Sequence, residues 1–382
     1  MKKICMITTV SLTMKSFVLE TAKHLHNKCG YNITLICNND SVFAESLPSY
    51  INYIPVQMER GINLSGFKSI REFERIFRKE SFDLVQYSTP NASFYASIAA
   101  KKANVPIRLY CQWGIRYVGL SGFSRKIFKF LEKQVCKNST HIRAVSPMNM
   151  AFAISEGLYP QAKASVIGRG GTIGVDMHEY DISQKSKWRD QIRTQFKISE
   201  EDFVFGFAGR ISTDKGCFEL LTSFKNISKN SSKAKLLVVG PCEDNCGLPD
   251  EILDWAKNSP NVIFTGKVEN SKMKNFYASM DVLVHPTYRE GFGMVIQEAG
   301  ALGIPAITTK IPGASEVMKE GVSCILVEAK NSTALEEAMI DLLNDRLKTT
   351  ELGNNAYNHV CNFYNRPIML ANQQNDYEIL LR

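Results

Sequence analysis

Two glutamates eight positions apart, Glu290 and Glu298, stand in the segment DVLVHPTYREGFGMVIQEAGALGIP at 281–305, with Gly291 and Gly293 flanking Phe292 between them. Carboxylates accept hydrogen bonds from paired hydroxyls, and glycine on both sides of one residue lets the backbone approach a ligand closely. The apolar run Val282, Leu283, Val284 predicts a buried strand that turns at Pro286. A helix is expected from about Gly293 to Gly303, ahead of Pro305. One carboxylate then lies in a loop and the other about one and a half turns into a helix. That helix start offers unpaired N–H groups and a partial positive charge to an anion. Two such acceptors beside an anion-binding helix end suit a ligand made of sugars and phosphates.

A second segment, AGRISTDKG at 208–216, sets Gly209, Arg210, Lys215 and Gly216 after the apolar strand FVFGF and before a helix beginning near Gly216. Taken singly, two glutamates on a helix or two cations in a loop are ordinary solvated surface. Their joint occurrence at the carboxyl ends of apolar strands points to a site, because ligands bind there in open α/β sheets.

Glu290-Gly-Phe-Gly-x4-Glu298 resembles the E-x7-E signature of retaining glycosyltransferases of the GT-B fold, family 4, and 208–216 agrees with it. The resemblance implies that Arg210 and Lys215 clamp the donor diphosphate, neutralising charge as it develops on the leaving phosphate. It implies that Glu298 binds the ribose hydroxyls and Glu290 those of the donor sugar. Backbone at Gly291, Phe292 and Gly293 would contact phosphate and sugar, and backbone near Gly266, Lys267 and Val268 the base. Residues 82–119 look most like members that build bacterial capsule and surface polysaccharides, and 141–181, with Ser146, Gly174, Val175 and Asp176, resembles the end of the family's N-terminal domain. The implied donor is a nucleotide-sugar, UDP-sugar first, the implied acceptor a lipid-linked glycan, and neither a metal nor a cofactor is expected.

Two departures from the family pattern stand out. Where many members carry a Gly-Gly loop after the first strand, this chain reads Thr8 to Lys15, leaving Ser11, Thr13 or Lys15 as contacts to phosphate or acceptor. Where many carry His-Gly, it has Trp113-Gly114. Trp113 then reads either as an aromatic wall for a sugar ring, with Gln112 as a polar contact, or as a packed strand end. His285, at the end of a buried strand, reads as structural rather than as a base.

The elements that must position these residues are short apolar strands alternating with amphipathic helical stretches: 3–10, 32–37, 82–87, 107–111, 203–207, 234–240, 261–266, 281–285, 305–309 and 323–328. That alternation implies parallel sheets with crossover helices. It occurs twice in 382 residues, around a polar stretch at 176–201 expected to be irregular. The expected architecture is α/β, two doubly wound Rossmann-like domains facing a cleft: 1–187 on the acceptor side, 188–360 binding the nucleotide-sugar, and a helix at 361–382 returning to the first domain.

The net charge of +8 is unevenly spread, with 25 Lys and Arg against 13 Asp and Glu in 1–187, and 21 against 25 beyond. A basic N-terminal half fits an anionic membrane surface or a polyanionic acceptor, whereas no nucleic-acid module is recognisable. The helical stretch 121–137 combines Phe123, Ile127, Phe130, Leu131 and Val135 with five cations. It reads either as a helix with its stripe in the core or as one lying on a bilayer; the basic stretch 66–80 has the same ambiguity. The ten cysteines lack paired zinc spacing and most sit in apolar elements, as expected in a reducing cytoplasm. Lys15 and Glu20 interrupt any signal-like run, and no membrane-spanning stretch is visible. The expected location is cytoplasmic, peripheral at the inner face of the cytoplasmic membrane. A sugar-nucleotide epimerase of the same fold, a glycoside hydrolase and a non-catalytic polyanion-binding protein remain the alternative readings.

Overall fold

The computed structural model describes residues 1–59, 65–243 and 246–382. The chain forms two compact units, one of residues 1–173 with 367–382 and one of residues 174–366. These limits fall earlier than the expected boundary at 187/188 and later than that at 360/361.

The first unit holds a seven-stranded parallel sheet of β1 (Lys3–Ile7), β2 (Asn32–Cys37), β3 (Ile51–Pro55), β4 (Leu84–Tyr87), β5 (Ile107–Gln112), β6 (His141–Ala144) and β7 (Ala164–Val166). Its order is β3-β2-β1-β4-β5-β6-β7. β3, β6 and β7 are absent from the strands expected on apolar runs. β3 ends on a proline at the sheet edge, β7 has three residues, and β6 carries His141 and Arg143. Arg143 is nonetheless buried, its Nε donating to Asp376 of the C-terminal helix Arg366–Leu380 at 2.9 Å while its guanidinium lies over the Tyr377 ring. Thr21 Oγ1 donates to Gln373 Oε1 on the same helix at 2.8 Å.

The second unit holds a six-stranded parallel sheet of β8 (Phe203–Ala208), β9 (Ala234–Val239), β10 (Val262–Gly266), β11 (Val282–His285), β12 (Ala306–Thr309) and β13 (Cys324–Val327), in the order β10-β9-β8-β11-β12-β13. Phe203, Phe205 and Phe207 of β8 are fully buried and share a core with Leu220, Leu221 and Phe224 of helix Cys217–Asn230. The strand order reverses between β8 and β11, so the loops following these two strands lie side by side at a topological switch point.

The polar stretch at 176–201 is not irregular as expected. Helix Lys185–Gln195 occupies it and belongs to the second unit. Arg193, 1% exposed, donates to Asp281 Oδ2 at 2.9 Å and to Ser199 O at 2.9 Å, and Arg189 donates to Asp281 Oδ1 at 3.0 Å. A buried guanidinium met by a carboxylate and carbonyls is a core contact that apolar periodicity does not register.

Helix Gly122–Asn138 confirms the expected element and corrects its face. Phe123 is 77% and Phe130 60% exposed, and only Val135, Cys136 and Asn138 are buried. Of the stripe, Phe123, Ile127 and Phe130 face solvent, Leu131 is half-buried and only Val135 enters the core. Lys129 does not face solvent with them, since its Nζ pairs with Glu156 Oε2 at 2.8 Å; Lys126, Lys133 and Lys137 are exposed. Helix Ser65–Glu80 is the opposite case: Ile70, Phe73, Ile76 and Phe77 are buried. No helix among the described residues is long and apolar enough to cross a membrane.

Candidate active site

The site is built where the β8 and β11 loops meet. The β8 loop carries Arg210 and Lys215, and Gly216 closes it at φ +70° as the N-cap of helix Cys217–Asn230. A side chain at 216 would place its Cβ 1.9 Å from Pro286 O in the β11 loop, so only glycine lets the two backbones touch. Tyr288 N donates to Asp214 O at 2.9 Å, which fastens one loop to the other. Gly313, at φ +85°, allows the loop after β12 to reach the backbone of Glu290 and Gly291, a Cβ there falling 2.3 Å from Gly291 O.

These contacts bring Lys215 Nζ to 2.9 Å from Glu290 Oε2. His285 Nε2 lies 2.9 Å from the same oxygen, and Gly291 N donates to Oε1 at 3.0 Å. Burial would raise the Glu290 carboxyl, but the hydrogen bond and charge of His285 and the Lys215 ammonium outweigh it and hold the group well below the usual carboxylate range. His285 is 1% exposed, and its Nδ1 has no hydrogen-bond partner. An ionised Glu290 accepts, so Nε2 of His285 donates to it.

Arg210 is half-exposed, with Nη2 3.6 Å from Asp214 Oδ1. Arg289 donates to Asp214 Oδ2 through Nη2 at 3.2 Å, and Ser212 Oγ donates to Oδ1 at 2.6 Å. Burial works against the Asp214 carboxylate, yet these partners lower its pKa. Asp214 thus holds two guanidinium groups beside Lys215.

Helix Met294–Ala301 begins after Gly293, which is at φ +48°. The N–H groups of Phe292 and Gly293 find no partner among the described residues, while Gly291 N is occupied by the Glu290 carboxylate. Phe292 itself is 4% exposed and packs edge-on against Tyr364. On the helix, Glu298 Oε2 accepts from Tyr277 OH at 2.8 Å. Burial pushes the Glu298 carboxyl up to about 7, against the pull of the Tyr277 hydrogen bond. Lys267 and Val268 follow Gly266 at the end of edge strand β10, two strands from β8.

In the first unit the expected contacts fare differently. Gln112 is 0% exposed, donating to Glu132 Oε1 at 2.6 Å and accepting from Tyr159 OH at 2.9 Å. Its amide is consumed inside the unit, which removes it as an acceptor contact. Trp113 packs on Phe17 with centroids 5.5 Å apart. Ser11 Oγ donates to Asp40 Oδ2 at 2.5 Å, and Thr13 is half-buried on helix Ser11–Phe17. This helix starts four residues after the end of β1.

His285, read as structural, and Asp214, Arg289, Tyr277 and Gly313, not singled out, are residues of this site that the sequence reading did not assign to it. The first three lie within five residues of Lys215 or Glu290, so proximity was the available signal. Tyr277 and Gly313 carry none.

Residues 189–359 match the family described as glycosyl transferases group 1, and residues 3–146 match glycosyl transferase 4-like. The capsular polysaccharide biosynthesis glycosyltransferase CapM of Staphylococcus aureus is 32% identical over 341 residues, 88% of each chain. The chain is a member of this glycosyltransferase family. The glycosyltransferase is also 22% identical, over 88% of its length and 86% of the relative's, to the UDP-Gal:alpha-D-GlcNAc-diphosphoundecaprenol alpha-1,3-galactosyltransferase of Escherichia coli. Its GT-B fold matches Anabaena HepE, solved in complex with UDP, at TM-score 0.77 and 20% identity over 99% of both chains. Membership sets aside the epimerase, hydrolase and polyanion-binding readings.

Proposed function

We propose that this glycosyltransferase moves a hexose or N-acetylhexosamine, with retention, from a UDP-sugar to a hydroxyl of a lipid-linked glycan in bacterial surface polysaccharide synthesis. The observation that carries the reading is the hydrogen bond from Lys215 Nζ to Glu290 Oε2, between residues 75 apart in sequence and 2.9 Å apart in space. CapM and the E. coli galactosyltransferase support the substrate classes, and HepE with UDP supports the nucleotide.

The chemistry follows from the charges. Arg210 and Lys215 take the diphosphate, with Arg289 as a third cation within reach of the same loop, and the N–H groups of Phe292 and Gly293 add two donors. Glu298 accepts from the ribose hydroxyls and Glu290 from the sugar. The acceptor oxygen forms its bond to the anomeric carbon on the face from which the diphosphate leaves, and its proton passes to a departing phosphate oxygen. No protein base is required. Cationic side chains fill the role of a divalent ion, so the reaction proceeds without metal.

Attachment to the inner face of the cytoplasmic membrane is part of this proposal. Exposed Phe123, Ile127 and Phe130 beside Lys126, Lys133 and Lys137 on one helix support it. Each cation near an anionic bilayer contributes about 1 kcal/mol, so several give a reversible, salt-sensitive hold.

A panel of UDP-, GDP- and ADP-sugars, screened by thermal stabilisation and followed by transfer assays with and without EDTA, tests the core of the reading. Stabilisation by UDP-sugars and EDTA-resistant transfer are expected. Transfer that EDTA abolishes and magnesium or manganese restores contradicts the metal-free step.

A further inference from the structure

A cavity in the first unit, with a volume of about 60 Å³, lies between helix Pro90–Lys102, helix Gly122–Asn138 and the sheet. Its aromatic walls include Phe94, Tyr110 and Phe128. Pro90 and Arg116, which follow β4 and β5, put part of the lining at the carboxyl ends of those strands, where ligands bind in open α/β sheets. Two polar groups in its lining are uncommitted. Ser93 Oγ, on a residue 1% exposed, has no hydrogen-bond partner. Glu132 accepts from Tyr110 OH at 2.9 Å and from Gln112 Nε2 at 2.6 Å on Oε1 alone, leaving Oε2 without a bond among the described residues. Tyr159 OH in turn fixes Gln112, so the carboxyl is held in one orientation by a relay of three side chains.

A buried hydroxyl without a partner is destabilising, and a complementary ligand would recover that cost. Since about 10–15 Å³ suffices to admit one water, a cavity of about 60 Å³ has room for a small group of a few non-hydrogen atoms. That is too small for a sugar ring and matches an acetamido group of nitrogen, carbonyl carbon, oxygen and methyl. An alkyl chain would leave both polar groups unsatisfied. We propose that the cavity bounded by Phe94, Tyr110 and Phe128 receives the acetamido group of an N-acetylhexosamine in the acceptor, its carbonyl accepting from Ser93 Oγ and its N–H donating to Glu132 Oε2. The inference rests on the glycan acceptor of the preceding section and narrows it to a sugar class.

Saturation-transfer NMR on the full chain, with methyl N-acetyl-β-glucosaminide against methyl β-glucoside, provides the test. Transfer is expected to be strongest at the acetamido methyl, with affinity about tenfold above the glucoside, because a site built around paired polar groups rejects ligands that leave them bare. Ser93→Ala deletes a hydroxyl that has no partner and so folds at least as well; with Glu132→Gln it is expected to abolish most of the preference. Equal transfer from both glycosides, no transfer from either, or a preference untouched by both variants overturns the inference. Calorimetry with UDP on the wild-type chain separates the two levels: UDP binding without acetamido preference sinks this proposal alone, whereas absence of UDP binding sinks the reading beneath it.

Discussion

Lys215 Nζ rests 2.9 Å from Glu290 Oε2, so the cation proposed for the diphosphate is paired with the carboxylate proposed for the sugar. Donor binding exchanges that partner for two. Under the proposed function the ammonium turns to phosphate, and Glu290 keeps His285 and Gly291 N as partners while it accepts sugar hydroxyls.

Arg210→Ala or Lys215→Ala is therefore expected to lower turnover by about 100-fold or more, the scale of losing one preorganised charge stabiliser. Arg210 is half-exposed, so its loss should move the unfolding midpoint little, whereas Lys215→Ala removes a partner of the largely buried Glu290 carboxylate and should lower it. Steady-state kinetics beside thermal unfolding checks this; near-normal turnover in both variants removes the clamp.

The two glutamates should separate by ligand. Glu298→Ala is expected to weaken UDP itself, and Glu290→Ala to spare UDP but weaken UDP-sugar. Calorimetry with each ligand decides it, and equal losses for free UDP refute the assignment of roles.

Glu298 also sets a pH dependence. Its carboxyl, raised by burial to about 7, accepts more strongly when ionised, so in its proposed ribose-binding role UDP affinity should climb between about pH 6 and pH 8 with release of a proton. Stability runs the other way. A carboxyl whose folded pKa lies above its unfolded value favours the folded state below the unfolded pKa and loses that contribution as pH rises through about 7. Glu298→Gln should flatten both profiles, measured by buffer-dependent binding heats and by thermal unfolding across pH. Glu290, held low, contributes stability above the ordinary carboxylate range and loses it only as pH falls beneath that range.

Lys126, Lys133 and Lys137 changed together to Glu should reduce flotation with phosphatidylglycerol vesicles while leaving UDP affinity intact. Lys129 is omitted because it is paired to Glu156. Equal binding of the wild type to neutral and anionic vesicles, or to neither at low salt, returns the helix to an ordinary solvated element.

What was legible in the chain is what local pattern encodes. The strand ending at His285, the helix from Met294 and the glycines between them follow from apolar runs and turn residues, so Glu290 and Glu298 could be placed before any coordinates. β6 was not legible, because Arg143 sits in a strand and is balanced by Asp376, 233 positions away. Gln112 misled for a related reason: a polar residue at a strand end resembles a ligand contact until Glu132 and Tyr159 are seen to consume it. The helix 122–138 stripe has ordinary core periodicity, and only the fold shows that Phe123 and Phe130 meet no partner surface.

The close approaches at Gly216 and Gly313 have a practical meaning for redesign. Because backbone meets backbone there, a side chain at either position pries apart the loops that present Arg210, Lys215 and Glu290, whatever its chemistry. Libraries aimed at new donors should keep both glycines and diversify positions such as Lys267, which is exposed and adjoins the segment proposed to meet the base.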